Sequence, residues 1–214
     1  MRYRPITFDR LADELTERVL ARDGGGWTRI VFDGAEGATD PATLADGLVD
    51  RLRVHGRPAL RVSAHDFLRP ASVRLERGRR DPDARYEDWL DTGALRREVL
   101  DPLGPGGNGM VLPALWDPVA DRALRLPRTH LPPGGVLLLD GELLLGRGLP
   151  VELAVHLWLS PTALRRRIPE RSAWALPAYT RYEQEVAPAE IADVVLRVDR
   201  PSHPAILMSG DGVG

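Results

Sequence analysis

The sequence of 214 residues contains neither cysteine nor lysine. Without cysteine, the chain cannot form disulfide bonds, use a thiolate nucleophile or bind a metal through sulfur. Without lysine, all 29 basic residues are arginines. A site that depends on a compact ammonium group must therefore be built differently, because the planar guanidinium is not an equivalent replacement.

Long apolar runs and an excess of positive charge are absent as well. No stretch reaches the roughly 20 apolar residues of a membrane-spanning helix, and no signal peptide is recognised. The arginines are interleaved with 31 acidic residues to a net charge of −2, which gives no electrostatic reason to bind nucleic acid or a membrane. We therefore expect a cytoplasmic protein with a small-molecule ligand; a homo-oligomer is compatible with these features.

Strands and helices alternate along the chain, which is 43% apolar and long enough for one domain with a buried core. The apolar run Val136–Asp140 is typical of a strand buried on both faces of a parallel sheet. The pattern predicts an α/β fold with three layers, in which helices flank a mainly parallel central sheet. The other predicted strands are Thr28–Asp33, Pro58–Ser63, Val151–Leu159 and Asp193–Val198, and the predicted helices are Thr7–Ala21 with Thr7 as a cap, one through Leu44, Leu48 and Leu52, Thr92–Leu100, Pro161–Arg171 as a helix or lid, and Trp174–Val186 interrupted at Pro177.

A glycine turn, Gly34–Pro41, joins the first of these core strands to the helix that follows it. Strand, glycine turn and helix are the parts of a phosphate-binding loop with the pattern G-x-x-x-x-G-K-[ST]. Gly34 matches the first glycine, but Thr39, Asp40 and Pro41 stand where the pattern has glycine, lysine and a hydroxyl residue. The sequence therefore keeps the scaffold of the loop without its charged chemistry.

Further motifs resemble uridine kinase-like members of the phosphate-loop (P-loop) nucleoside kinase family over residues 28–207. They are the glycine turn, Ser63–Pro70, Leu100–Gly107, Leu138–Gly141 and Ala192–Val195. The resemblance implies one P-loop kinase-like domain over residues 1–214. Within it we expect an N-terminal helical extension at 1–26, an acceptor-side insertion at 69–117 and a lid-like helical region at 161–187.

The resemblance also implies roles for individual residues. His65 takes the place of the family's aspartate that helps to activate the nucleoside hydroxyl, Asp66 follows it, and Asp140 corresponds to the acid near magnesium; these three are the candidate catalytic residues. Phosphate contacts fall on Gly34, Gly37, Thr39, Arg166 and Arg171, and acceptor contacts on Arg69, Tyr86, Asp91, Trp116, Asp117 and Arg181.

The altered loop has a direct physical consequence, because Asp40 reverses the charge that lysine presents to phosphates. Pro41 removes an amide donor and a hydroxyl ligand together. Asp40 followed by Pro41 is, however, a favourable ordinary helix start, with the aspartate as N-cap. We therefore expect a capped helix here and loss of conventional ATP binding, unless neighbouring arginines supply the missing charge.

Other residues allow two interpretations each. His65 can act as a general base or can be a bonded polar residue at a strand end. Asp140 can bind magnesium or cap the following turn, and Arg165–Arg167 can clamp a phosphate or form an exposed helix face. His55, His130, His156 and His203 lack metal-ligand spacing, and His156, inside an apolar strand, is expected to be structural.

Three functions remain open at this point. The favoured hypothesis is a pseudokinase or altered enzyme that binds a nucleoside-like or phosphorylated small molecule. The second is an active ATP-dependent uridine kinase that uses arginine in place of lysine, and only this hypothesis requires ATP and magnesium as cofactors. The third is an ATP-independent enzyme that reuses the acceptor pocket. No resident metal site is predicted.

Overall fold

A computed structural model describes residues 2–22 and 25–208. Met1, Asp23 and Gly24 of the predicted N-terminal extension lie outside the described residues. The strands are β1 (Arg2–Pro5), β2 (Thr28–Gly34), β3 (Ala59–Ser63), β4 (Met110–Val111), β5 (Trp116–Asp117), β6 (Arg122–Ala123), β7 (Thr129–His130), β8 (Val136–Gly141), β9 (Leu153–Trp158), β10 (Val194–Arg197) and β11 (Ala205–Met208). The helices are α1 (Phe8–Leu20), α2 (Pro41–Val54), α3 (Ala71–Arg74), α4 (Pro82–Glu87), α5 (Thr92–Leu95), α6 (Pro161–Arg167), α7 (Leu176–Glu185) and α8 (Pro188–Ile191).

Seven strands form the central sheet in the order β1-β11-β10-β9-β2-β8-β3. The strands from β10 to β3 run parallel, and Ile30 of β2 lies opposite both Leu138 of β8 and Leu153 of β9. Helices flank this sheet, so the predicted α/β class is confirmed. Asp193–Val198 was predicted to be the last strand of the chain. In the structure, β11 follows it and pairs antiparallel with β10 and β1. The sequence analysis missed β1, which forms one edge of the sheet, and β11 beside it, because four-residue segments carry little periodic signal.

The core lies where the predicted patterns place it. Every residue of β2 is buried, as are the first five residues of β8. Helix α1 begins after Thr7, whose hydroxyl accepts a hydrogen bond from the amide of Arg10, and it buries Leu11, Leu15 and Val19. It packs against α2, and α2 packs against β2, β3 and β8. This packing fixes the start of α2 close to the end of β2.

Prolines set the bounds of the last helices. Pro177 does not interrupt a helix as predicted, because α7 begins at Leu176 and holds Pro177 in its first turn, where a missing amide costs no hydrogen bond. Residues Glu170–Ala175 form a separate 3-10 turn before it. Helix α6 ends at Arg167, two residues before Pro169. The predicted helix Thr92–Leu100 is α5 continued by a π-helical turn from Arg96 to Leu100.

Candidate functional site

A cavity of about 480 Å³ opens at the carboxyl ends of β2, β3 and β8. Strand β2 lies between β8 and β9, and the chain leaves it on one side for β3 and later crosses to β9 on the other. In open parallel α/β sheets, ligands bind at such a point of reversed strand order. The cavity contains the glycine turn, the segment after β3 and the end of β8, so three of the predicted motifs meet there.

The turn between β2 and α2 is closed by its own hydrogen bonds. The amides of Ala38 and Thr39 donate to the carbonyl of Ala35 at 3.1 and 2.9 Å, and the Thr39 hydroxyl donates to the same oxygen at 3.1 Å. Gly34 is required next to it, since an added Cβ would lie 2.4 Å from Thr39 Oγ1. The turn is therefore wound tightly around one carbonyl group.

Carboxylates accept from two further amides of this segment, those of Thr43 and Glu36. Asp40 caps α2 by accepting from the amide of Thr43 at 2.9 Å and from its hydroxyl at 2.6 Å, and Pro41 is in the first turn of the helix. The predicted capped helix is confirmed. The amide of Glu36 donates to Glu142 at 3.1 Å. At a phosphate-binding helix start, amides of this kind point at the anion; here they bond to oxygens of the protein.

A largely buried ionic cluster forms one wall of the cavity beside the turn. The Arg85 guanidinium lies 2.5 Å from Glu142 and 2.9 Å from Glu36, and it stacks on the rings of Trp89 and Trp174 at 4.8 and 5.6 Å. The hydroxyl of Tyr179 also donates to Glu142. Burial raises the pKa of Glu142, although Arg85 opposes this effect. The cluster ties α4, the turn and the end of β8 together.

His65 and Asp66 lie in a 3-10 turn directly after β3. The imidazole of His65 is about half exposed and stands 3.9 Å from a Glu36 oxygen. Burial raises the pKa of Asp66, and the charge of His65 partly offsets it. Within residues 2–22 and 25–208, the Asp66 carboxylate accepts no hydrogen bond from the protein, so it can accept one from a ligand.

Asp140 is buried at the end of β8 and is already paired. It accepts from Arg61 Nε at 2.7 Å and from the Ser63 hydroxyl at 3.3 Å. Hydrogen bonding to Asp140 raises the pKa of Arg61, which also contacts Asp46 at 3.3 Å. The charge of Asp140 is therefore balanced by an arginine on the neighbouring strand β3. Over the described part of the chain, no group of three or more acidic or histidine side chains is arranged to hold a metal.

Solved structures share this arrangement of strands and helices. A candidate uridine kinase from Bacillus stearothermophilus matches with a TM-score of 0.69 and 18% identity over 86% of this chain and 96% of that chain. A candidate fructose transport system kinase from Silicibacter sp. TM1040 matches with a TM-score of 0.60 and 22% identity over 86% and 91% of the two chains. The YGR205w protein matches with a TM-score of 0.56 and 10% identity over 95% of this chain and 100% of that chain.

The chain has the fold of a P-loop kinase. No protein-family model matches the sequence, and no curated protein matches it significantly. In the described residues, no helix is both long and apolar enough to cross a membrane.

The P-loop kinase fold brings six of the predicted site residues to the cavity and leaves the others outside its lining. Gly34, Gly37, Thr39, His65, Asp66 and Asp140 line it. Arg166 lies at a separate surface depression and reaches the Asp199 carbonyl at 3.5 Å, and Arg171 is exposed. The predicted lid arginines therefore do not contact this cavity in the structure.

The predicted acceptor residues are bonded to other residues of the protein and do not line the cavity. Asp91 caps α5 through the amide of Ala94, and Asp117 accepts from the amides of Val119 and Ala120. The Trp116 indole donates to Asp121, and the Arg69 amide donates to the Trp89 carbonyl. The Arg181 guanidinium donates to Asp83, Glu87 and Glu185 and lies over the Tyr86 ring.

Sequence reasoning missed the charged residues that dominate the cavity: Glu36, Arg61, Arg74, Arg85, Glu142 and Arg147. Two of them carried a usable signal. Glu142 comes directly after Asp140-Gly141 at a strand's carboxyl end, and Arg85 is one helical turn before Trp89. Arg61 and Arg147 carried no signal in the sequence, since the residues that they bond to are distant along the chain.

Proposed function

We propose that this protein is a nucleoside kinase-like protein whose phosphate loop no longer binds ATP, and whose cavity binds a nucleoside-like or phosphorylated small molecule. The observation that carries the proposal is the internal bonding of the loop. The amides of Glu36, Ala38, Thr39 and Thr43 all donate to oxygens of the protein. A triphosphate would have to break these bonds before it could use the same donors.

Charge supports the same proposal. Two unit charges at about 4 Å in an effective dielectric near 20 interact by about 4 kcal/mol. A lysine would attract a phosphate by this order, whereas Asp40 and Glu36 repel it. The side chains of Glu36 and Asp40 are both exposed, so solvent screens their repulsion to well below this value, although two hydrogen bonds hold Asp40 at the helix start. The natural loop is therefore unsuited to a polyanion.

The acceptor side of the cavity remains suited to a hydroxylated ligand. Asp66 offers an acceptor without a protein donor, and His65 lies next to it with its ring about half exposed. A ribose-like pair of hydroxyl groups could donate to the carboxylate and bond to the imidazole. The volume of about 480 Å³ is in the range of small-molecule sites.

Calorimetric titration tests the proposal. We expect no binding heat with ATP and magnesium, and measurable heat with uridine or uridine monophosphate. Micromolar ATP binding would overturn the proposed loss of the donor site. Absence of heat with all three compounds would remove the nucleoside-like ligand from the proposal.

A reversal of the loop sharpens this test. The double variant Asp40→Lys with Pro41→Thr restores the lysine and hydroxyl of the phosphate-loop pattern. We expect ATP affinity to appear or increase in this variant. Asp50→Lys is the matched control, because Asp50 is on the same helix with a side chain 92% exposed. An equal gain in the control would show that general positive charge, and not the loop, is responsible.

A second candidate function is an ATP-dependent nucleoside kinase in which arginine replaces lysine. Arg85 favours it, because its guanidinium reaches Glu36 in the turn at 2.9 Å. This candidate predicts transfer of phosphate from ATP to uridine by the wild-type protein and its loss in Arg85→Met. The first proposal predicts no transfer by either protein.

A further inference from the structure

A second cavity, of about 370 Å³, lies on the other side of β2, at the carboxyl ends of β2 and β9 beneath α6 and α7. It shares only Gly34 and Leu143 with the first cavity. Most of its wall is apolar, formed by Leu143, Leu157, Trp158, Leu159, Pro161 and Leu164. A polar group at one end of such a cavity fixes the orientation of a small ligand.

The polar end contains a buried pair formed by Asp33 and His156. His156 Nδ1 lies 2.7 Å from Asp33 Oδ2, and Asp33 also accepts from the amide of Leu144 at 2.9 Å and from the Tyr182 hydroxyl at 3.1 Å. Burial raises the pKa of Tyr182, so this hydroxyl keeps its proton and donates. Since Asp33 accepts from every partner, the hydrogen of a neutral His156 is on Nδ1, and Nε2 is left as an acceptor.

Nε2 of His156 is buried and has no hydrogen bond partner in the described protein. The nearest carboxylate oxygen is Glu183 Oε1 at 3.9 Å. Glu183 is on α7 at the mouth of the cavity, and its side chain is 42% exposed. Buried polar atoms are nearly always bonded, so an unpaired one in a cavity indicates a missing partner.

The charges around this point favour a cationic donor. A neutral imidazole and a carboxylate are both acceptors, and an ammonium group carries enough hydrogens to donate to both at once. Asp33 contributes a negative charge, and Glu183 contributes a second when it is ionised; burial raises the pKa of Glu183, and a neighbouring positive charge opposes this effect. Arg147 acts on Asp33 through its charge but lines the first cavity, and Arg165 is exposed at the rim of the second. A hydroxyl ligand could donate to only one of the two acceptors.

We propose that the second cavity binds a primary amine with an apolar body, its ammonium group held between His156 Nε2 and Glu183 and its apolar part against Leu157 and Leu164. This site is independent of the function proposed for the first cavity. It also gives His156, expected from sequence to be structural, a role in recognition.

Benzylamine is a suitable probe, with benzyl alcohol and benzoate as neutral and anionic analogues of the same shape. Titration is followed by the NMR signals of the His156 ring and by calorimetry. We expect saturable benzylamine binding that shifts the His156 signals, with affinity at least tenfold above that of either analogue. No saturable binding, equal affinity for benzyl alcohol, or an unchanged His156 signal would overturn the proposal.

Variants separate this site from other acidic surfaces. Glu183→Gln removes the charge at the exposed mouth of the cavity. It should leave the fold intact and lower the affinity for benzylamine at least tenfold. Glu190→Gln, an exposed acid on α8 outside the cavity, should leave affinity unchanged. Benzylamine binding that survives Glu183→Gln at wild-type affinity would overturn the assignment. His156→Gln should abolish binding, and its thermal unfolding shows whether the buried pair is also needed for stability.

Discussion

The carboxylate of Asp40 lies at the N-terminus of α2 and accepts a hydrogen bond from the amide of Thr43 at 2.9 Å. This residue stands where the phosphate-loop pattern has lysine. Its negative charge faces the positive end of the helix dipole, which elsewhere attracts a phosphate. One side chain thus caps the helix and, in the function proposed above, occupies the position at which a phosphate binds elsewhere.

Removal of this cap should destabilise the protein. We expect Asp40→Ala to lower the free energy of unfolding by about 1 kcal/mol, because the amide of Thr43 loses its acceptor. Asp40→Asn should change it much less, since asparagine is as good a cap. Urea denaturation of the three proteins measures both differences. Equal losses in the two variants would show that the negative charge, and not the cap, stabilises the helix.

Breaking the Arg85–Glu142 pair by removing one partner should cost far more stability than breaking a surface ion pair. Arg85→Met leaves Glu142 largely buried beside Glu36 without a counter-charge, and we expect a loss of about 3–5 kcal/mol. Arg77→Met is the control, since Arg77 is 48% exposed, and should cost less than about 1 kcal/mol. Similar losses in the two variants would contradict the structural role assigned to the cluster.

The effect of Arg85→Met should also depend on pH. Burial raises the pKa of Glu142, so the folded state binds a proton at pH values where the unfolded chain has released it. Stability therefore falls as pH rises through that window. Without Arg85 the pKa of Glu142 rises further, and the deficit of the variant should be larger near about pH 7.5 than near about pH 5. A deficit that is constant with pH would exclude Glu142 as its source.

Asp66 should govern binding in the first cavity. We expect Asp66→Asn to weaken uridine binding by roughly tenfold, because a charged acceptor is lost, while Asp50→Asn, at an exposed position of α2, has no effect. Burial raises the pKa of Asp66, so wild-type affinity should fall as pH decreases through that raised pKa. Calorimetry across pH measures this. Affinity that is independent of both pH and Asp66 would place the ligand elsewhere.

Gly37 offers a test of the turn itself. It has φ +72°, and an added Cβ would lie 3.1 Å from Pro169. Gly56 has the same φ of +72° with nothing within 4 Å, so Gly56→Ala measures the backbone cost alone, about 1 kcal/mol. We expect Gly37→Ala to cost more in thermal unfolding. Equal costs would mean that the contact with Pro169 relaxes freely.

Local sequence patterns were sufficient to predict the parallel core of the sheet and the helix packed on it. Apolar runs predicted β2 and β8. The periodicity of Leu44, Leu48 and Leu52 predicted α2, and the pair Asp40-Pro41 predicted where this helix begins. Each signal is contained within a few consecutive residues. Strands β1 and β11 could not be predicted in this way, because each is four residues long and their pairing joins opposite ends of the chain.

The sequence by itself determined that the glycine turn lacks lysine and that Asp40 caps the helix after it, since capping depends only on residues within one turn. Only the tertiary structure decided how charges meet. Arg85 and Glu142 are far apart in sequence, as are Asp33 and His156, which adjoin only because β2 and β9 are neighbours in the sheet. Periodicity reports which face a residue occupies, whereas the strand order determines which side chains share a cavity.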